Sequence, residues 1–87
     1  MLAFPLLLIS GRHIRAARGL IGWTQKDLAG KSKVALGTLR RMEESDGPAS
    51  TRTETLIRVM TALQKAGVEF LNDDRPGVRL MAAQKRG

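Results

Sequence analysis

Residues 24–43, TQKDLAGKSKVALGTLRRME, constrain the fold of this chain more than any other stretch. Their apolar positions fall in two short sets separated by a polar break. A threonine oxygen can accept from the free N–H groups at a helix start, so Thr24 is expected as an N-cap. Leu28 and Ala29 then give a first helix, over about 24–31, a small apolar face. Val34, Leu39 and Met42 give a second helix, over about 35–45, its own face, because residues three apart meet on one side of a helix. Arg40 and Arg41 fall outside that stripe and are expected to face solvent or a ligand.

The charge is placed as unevenly as the apolar residues. The chain has 87 residues and a formal net charge of +7. Within residues 12–41 eight basic residues (Arg12, Arg15, Arg18, Lys26, Lys31, Lys33, Arg40 and Arg41) stand against one acid, Asp27. The other seven basic residues are balanced by the other seven acids. The whole excess therefore surrounds the two-helix unit, which is the footprint of a polyanion binder. Two short helices joined by a tight turn form a helix-turn-helix, a motif that lays its second helix in a DNA major groove.

At these residues the sequence resembles the helix-turn-helix domains of the Cro and phage-repressor type, the XRE-like regulators. The pattern Thr-Gln-x-x-Leu-Ala is met by Thr24, Gln25, Leu28 and Ala29. The later pattern Thr-Ile-x-x-Ile-Glu is met in type by Thr38, Leu39, Met42 and Glu43, with Val34 in register between them and no gap. The upstream segment IRAARGLIGW is similar to the family's first helix, and the resemblance covers roughly residues 10–65. It implies a mainly α, compact domain of four to five helices and a sequence-specific regulator of double-stranded DNA. That regulator would act as a homodimer on an inverted repeat, with repression as the simplest mechanism and a cytoplasmic location. The alternative it leaves open is an antitoxin, or another interaction subunit, with a protein partner such as a toxin.

The resemblance also implies roles for individual residues. Gln25 begins the first helix of the motif, where its counterpart contacts a phosphate or supports the recognition helix. Ala35, Leu36, Gly37, Thr38, Arg40 and Arg41 correspond to the face presented to DNA. Base readout is placed on Leu36 and Arg41, since leucine can touch a thymine methyl and arginine can donate twice to guanine O6 and N7. Arg40 suits a phosphate, and Thr38 a phosphate or a base edge. Arg18 and Glu43 correspond to a structural ion pair that ties helix one to the end of helix three. Two residues depart from the pattern. Lys33 stands where the family turn usually carries glycine at positive φ; there it costs about 1 kcal/mol, with a phosphate contact as compensation. Gly37 costs about 1 kcal/mol relative to alanine inside a helix and carries no side chain to read a base.

Other chemistry finds little footing. With no cysteine there is no disulfide or thiolate metal site, and with a single histidine no nucleophile–base pair or metal cluster is expected. No phosphate-cradling glycine loop is present either, so no enzyme, cofactor or metal is expected. Glu44 and Asp46 are assigned to helix-end solubility, Asp73 and Asp74 to turn chemistry, and His13 to the surface or to the neighbourhood of a phosphate.

Residues 1–9, MLAFPLLLI, are apolar. They are too few to cross a bilayer and lack the features of a signal peptide, so no membrane partner is expected. They are assigned to an arm docked on the core or on a partner subunit. The main domain is assigned to residues 10–66. In it Ser10 caps a helix over 11–21 whose Ile14, Ala17 and Ile21 share a face, with Leu20 nearby. Gly22 ends that helix, and Trp23 packs the corner. Asp46-Gly47-Pro48 stops helix three. A fourth helix over 52–66 carries Leu56, Val59, Met60 and Leu63 on one stripe and stops at Gly67. Residues 67–81 are read as a β-hairpin or dimerisation extension: Val68–Leu71 and Val78–Leu80 alternate, with a six-residue loop over 72–77. The runner-up there is a short helix at 68–73. Residues 82–87 form a basic tail.

Overall fold

The structure, a computed structural model, describes residues 9–44, 52–71 and 77–81. In chain order it contains α1 (Gly11–Ile21), α2 (Gln25–Ser32), α3 (Leu36–Glu44), α4 (Thr53–Lys65), β1 (Val68–Leu71) and β2 (Gly77–Leu80). The expected mainly α fold with a C-terminal hairpin is the fold observed. The expected stop at Asp46-Gly47-Pro48, residues 72–76 and the tail 82–87 lie outside the described residues.

Short helices are weak alone, so their ends and buried faces must hold them. Thr24 caps α2 as expected. Its hydroxyl accepts from the Asp27 N–H at 3.0 Å, and Asp27 accepts the Thr24 N–H at 2.9 Å, closing a capping box. Ser10 caps α1 in the same way, and there the reciprocal acceptor is His13. The Ser10 N–H donates to His13 Nδ1 at 3.1 Å, so His13, expected at the surface or near a phosphate, is a half-buried capping residue. A histidine at this third helical position is not the usual Glu or Gln of a capping box, which is why spacing alone did not reveal it.

α1 and α2 end alike. Gly22 (φ 72°) and Lys33 (φ 59°) both adopt the left-handed conformation. The N–H of the following residue reaches back across the last turn, Trp23 to the Arg18 carbonyl at 3.0 Å and Val34 to the Ala29 carbonyl at 3.1 Å. α4 has no side-chain cap at Arg52 and relies on packing. Its stripe of Leu56, Val59, Met60 and Leu63 is buried as expected, and Ala62 joins it. These residues pack on α2 and meet Ile14 and Ala17 of α1, Leu28 and Ala29 of α2, and Leu39 and Met42 of α3 in one core. Trp23 and Leu36 are partly buried against the same core.

Ile9 is fully buried in that core, so this last residue of the apolar arm belongs to the domain itself; residues 1–8 lie outside the described residues. The hairpin replaces the short helix considered for 68–73. β1 and β2 pair antiparallel with Val68 opposite Leu80 and Leu71 opposite Gly77, so Gly77 is a strand residue and the connection is one residue shorter than expected. The hairpin rests on α1 and on the end of α4. Val68 and Phe70 are buried, whereas Leu80, on the same face, is 49% exposed. Across the pair, Arg79 Nε donates to Glu69 Oε1 at 2.9 Å on the solvent side. That bond holds the Glu69 carboxyl below its ordinary range.

Candidate nucleic-acid interface

The turn between α2 and α3 sets the angle at which α3 leaves the domain. The buried Ser32 hydroxyl donates to the Leu28 carbonyl at 2.7 Å, satisfying a helix-end acceptor. Lys33 then holds the left-handed turn with its side chain exposed, and Val34 returns to the core. The family's usual glycine is absent, but the backbone keeps the conformation that glycine would serve.

The far end of α3 is held by a buried polar cluster. Glu43 has only 2% of its side chain exposed. Arg18 Nε donates to Glu43 Oε2 and Arg18 Nη2 to Oε1, each at 2.8 Å, a two-pronged ion pair. The third arm of the same guanidinium, Nη1, donates to the Trp23 carbonyl at 3.0 Å. Gln25 Nε2 adds a bond to Glu43 Oε1 at 3.2 Å, and Arg15 Nη1 donates to the main-chain carbonyl of Glu43. One carboxylate thus joins α1, the α1–α2 corner, α2 and α3. A buried charge is tolerated only when its hydrogen-bonding capacity is filled, and here it is.

Arg15 was not singled out by the sequence reading. Its signal lay in the spacing: Arg15 and Arg18 are three residues apart, so an inward-turned Arg18 brings Arg15 to the same side of α1. Gln25, read as a phosphate contact or a support, bonds Glu43 in the structure. It lines a shallow cleft with Arg15, Arg18, Arg40, Glu43 and Glu44.

The outer side of α3 is organised differently. Ala35, Gly37, Arg40 and Arg41 are exposed, and Thr38 is half-buried. Arg40 turns toward the cleft, whereas Arg41 lies back along its own helix. Arg41 Nη2 reaches Thr38 Oγ1 at 3.4 Å. Leu36, expected to read bases beside Arg41, leans on the core and is half-buried, because it continues the Leu39 stripe one turn earlier.

Of the basic residues within 12–41, Arg12, Arg15, Lys26, Lys31, Lys33, Arg40 and Arg41 are exposed, while Arg18 is turned inward to Glu43. Lys31 Nζ stands 6.0 Å from the Trp23 ring centroid, at the outer limit of a cation–π contact. Asp27, the acid in this basic stretch, is occupied by the Thr24 cap, whose N–H holds its carboxyl below the ordinary range. These exposed cations can attract a polyanion, and Arg15 and Arg40 among them line the cleft beside the end of α3.

A family model described as helix-turn-helix matches residues 14–70. The chain belongs to the Cro and phage-repressor type, XRE-like helix-turn-helix family. The match includes α1–α4 from Ile14 onward and runs into β1 as far as Phe70. As a member of this family the protein is a DNA-binding transcription regulator, and double-stranded DNA is its partner. No curated protein matches the chain. Among the described residues no helix of this XRE-like regulator is long and apolar enough to cross a membrane.

Proposed function

We propose that this protein is a sequence-specific repressor that binds as a homodimer, each subunit laying α3 in the major groove of one half of an inverted repeat. Half-sites would lie about one helical turn, near 10 bp, apart. The observation that carries the proposal is the contrast between the two sides of α3. Its inner side is fixed by Leu39, Met42 and the Arg18–Glu43 pair, while its outer side presents Gly37, Thr38, Arg40 and Arg41 amid exposed cations. Arg41 is assigned to a base edge and Arg40 and Lys33 to phosphates. Ala35 and the exposed part of Leu36 offer apolar contact to a thymine methyl. Gln25, at the first turn of α2, steadies α3 through Glu43 and can share a phosphate with the free N–H groups of that helix start.

Replacing Arg40 and Arg41 together with alanine tests the assignment. Both are exposed, so the fold should survive, as read by circular dichroism and melting. Specific binding should be lost, while the wild type should weaken steeply with salt, by about one unit of log–log slope per phosphate neutralised. Undiminished binding by the double variant would refute α3 as the recognition helix.

A further inference from the structure

Gly37 is an exposed glycine in the first turn of α3, and nothing inside the protein requires it there. Its φ is not positive: among the described glycines only Gly22 and Gly67 are left-handed. A Cβ built on Gly37 meets one atom within 4 Å, Nη1 of Arg41 at 3.9 Å, which is ordinary contact. Glycine is also a poor helix former, so folding alone gives no reason to avoid a longer helix-forming side chain such as glutamine at this position.

The explanation lies one turn along the helix. Residues 37 and 41 share a face, and helical side chains point back toward the N-terminus. Arg41 follows that rule. Its guanidinium lies over the turn that contains Gly37 and Thr38, with Nη2 3.4 Å from the Thr38 hydroxyl oxygen and Nη1 beside the space a side chain at 37 would enter. A planar guanidinium offers five N–H donors in a fixed fork. One turned toward the Thr38 hydroxyl leaves donors for a planar acceptor pair.

Resting on α3 as the recognition helix, we propose that Gly37 determines sequence specificity by what it omits. The missing side chain lets Arg41 occupy the groove-facing surface of residue 37 as well as its own, and Thr38 orients it there. Arg41 then reads a guanine through O6 and N7 opposite the first turn of α3. One such bidentate contact discriminates against the wrong base by about 5- to 150-fold.

Selection of bound duplexes from a random pool, using the full chain, tests this with Gly37→Ala, Gly37→Gln and Arg41→Ala beside the wild type. The wild type should select a guanine in each half-site. Arg41→Ala should lose that preference. Gly37→Ala should keep it, because a single methyl fits at 3.9 Å. Gly37→Gln should lose or move it, because its longer side chain enters the space of the guanidinium. Glutamine favours helix more than glycine, so the variant should fold, which circular dichroism and melting would verify. A Gly37→Gln variant that still selects the guanine through Arg41 would overturn the inference and leave the recognition helix standing. Loss of the guanine in Gly37→Ala would also overturn it, pointing instead to a backbone approach that admits no Cβ. Unchanged selection and affinity in Arg41→Ala would also overturn it, whereas α3 as the recognition helix stands or falls with the Arg40 and Arg41 double variant.

Discussion

Glu43 shows how one residue can fix the aim of a helix. Its carboxylate receives three side-chain donors from Arg18 and Gln25 while nearly fully buried. Removing either charged partner leaves the other buried without compensation, a loss of about 3–5 kcal/mol. Against a domain stability of about 5–15 kcal/mol this is a large fraction. Glu43→Gln and Arg18→Met should each lower the melting temperature sharply. The double variant should lose much less than the sum of the two; additive losses in denaturant melts would show that the pair is not coupled. His13 is a second such residue. Its Nδ1 accepts the Ser10 N–H, and burial holds its pKa below the ordinary 6.5. The folded state therefore favours the neutral ring. Stability should be fully present above about pH 6.5 and be lost progressively as pH falls toward the lowered folded-state value. A positive ring at a helix N-terminus also opposes the helix dipole. His13→Gln, which can still accept the Ser10 N–H, should flatten melting temperature between pH 5 and 7; an unchanged slope would show that another group titrates. Neither role was fully legible from sequence. The Arg18–Glu43 pair followed from the resemblance, but the bonds from Arg15 and Gln25 depend on how α1 and α2 cross, which no local pattern encodes.

Among the elements, the turn into α3 carries the clearest trade between stability and binding. Lys33 is the one non-glycine residue at positive φ among the described residues, and a left-handed lysine costs about 1 kcal/mol against glycine. Lys33→Gly should therefore raise the melting temperature. If the exposed lysine meets a phosphate, the same change should weaken DNA binding uniformly across sequences and reduce the salt slope by about 1. A more stable variant with an unchanged salt slope would remove Lys33 from the interface. The helices were largely legible because their signals are local: Ser10 and Thr24 start them, Gly22 and Gly67 follow their ends, and Leu56, Val59, Met60 and Leu63 keep helical spacing. The hairpin was legible from alternation at Val68–Leu71. Its precise register was not, because pairing Gly77 with Leu71 depends on the partner strand rather than on turn composition. How far Leu36 leans inward was not legible for a related reason: only the angle between α3 and the core shows it.

For the whole molecule, the proposed homodimer needs a surface on which two copies meet. Leu80 is 49% exposed and Met81 38%, beside a two-stranded sheet whose outer edges have no further strand among the described residues. Unpaired edges and exposed apolar side chains favour association. If the hairpin forms the homodimer interface, Leu80→Glu should convert a species of twice 9.5 kDa into one of 9.5 kDa, measured by sedimentation, with little change in fold. Its affinity for an inverted repeat should fall to that for a single half-site. A wild-type chain that sediments as a monomer at concentrations saturating the operator would refute the homodimer. The way α3 is mounted has a consequence for how such regulators diversify. Its attachment uses Leu39, Met42 and Glu43, while Gly37 and Arg41 lie on its exposed side. If the outer set reads DNA as proposed, the inner set can stay constant while the outer set is rewritten, so a new operator preference can arise by swapping lettering on a fixed signpost.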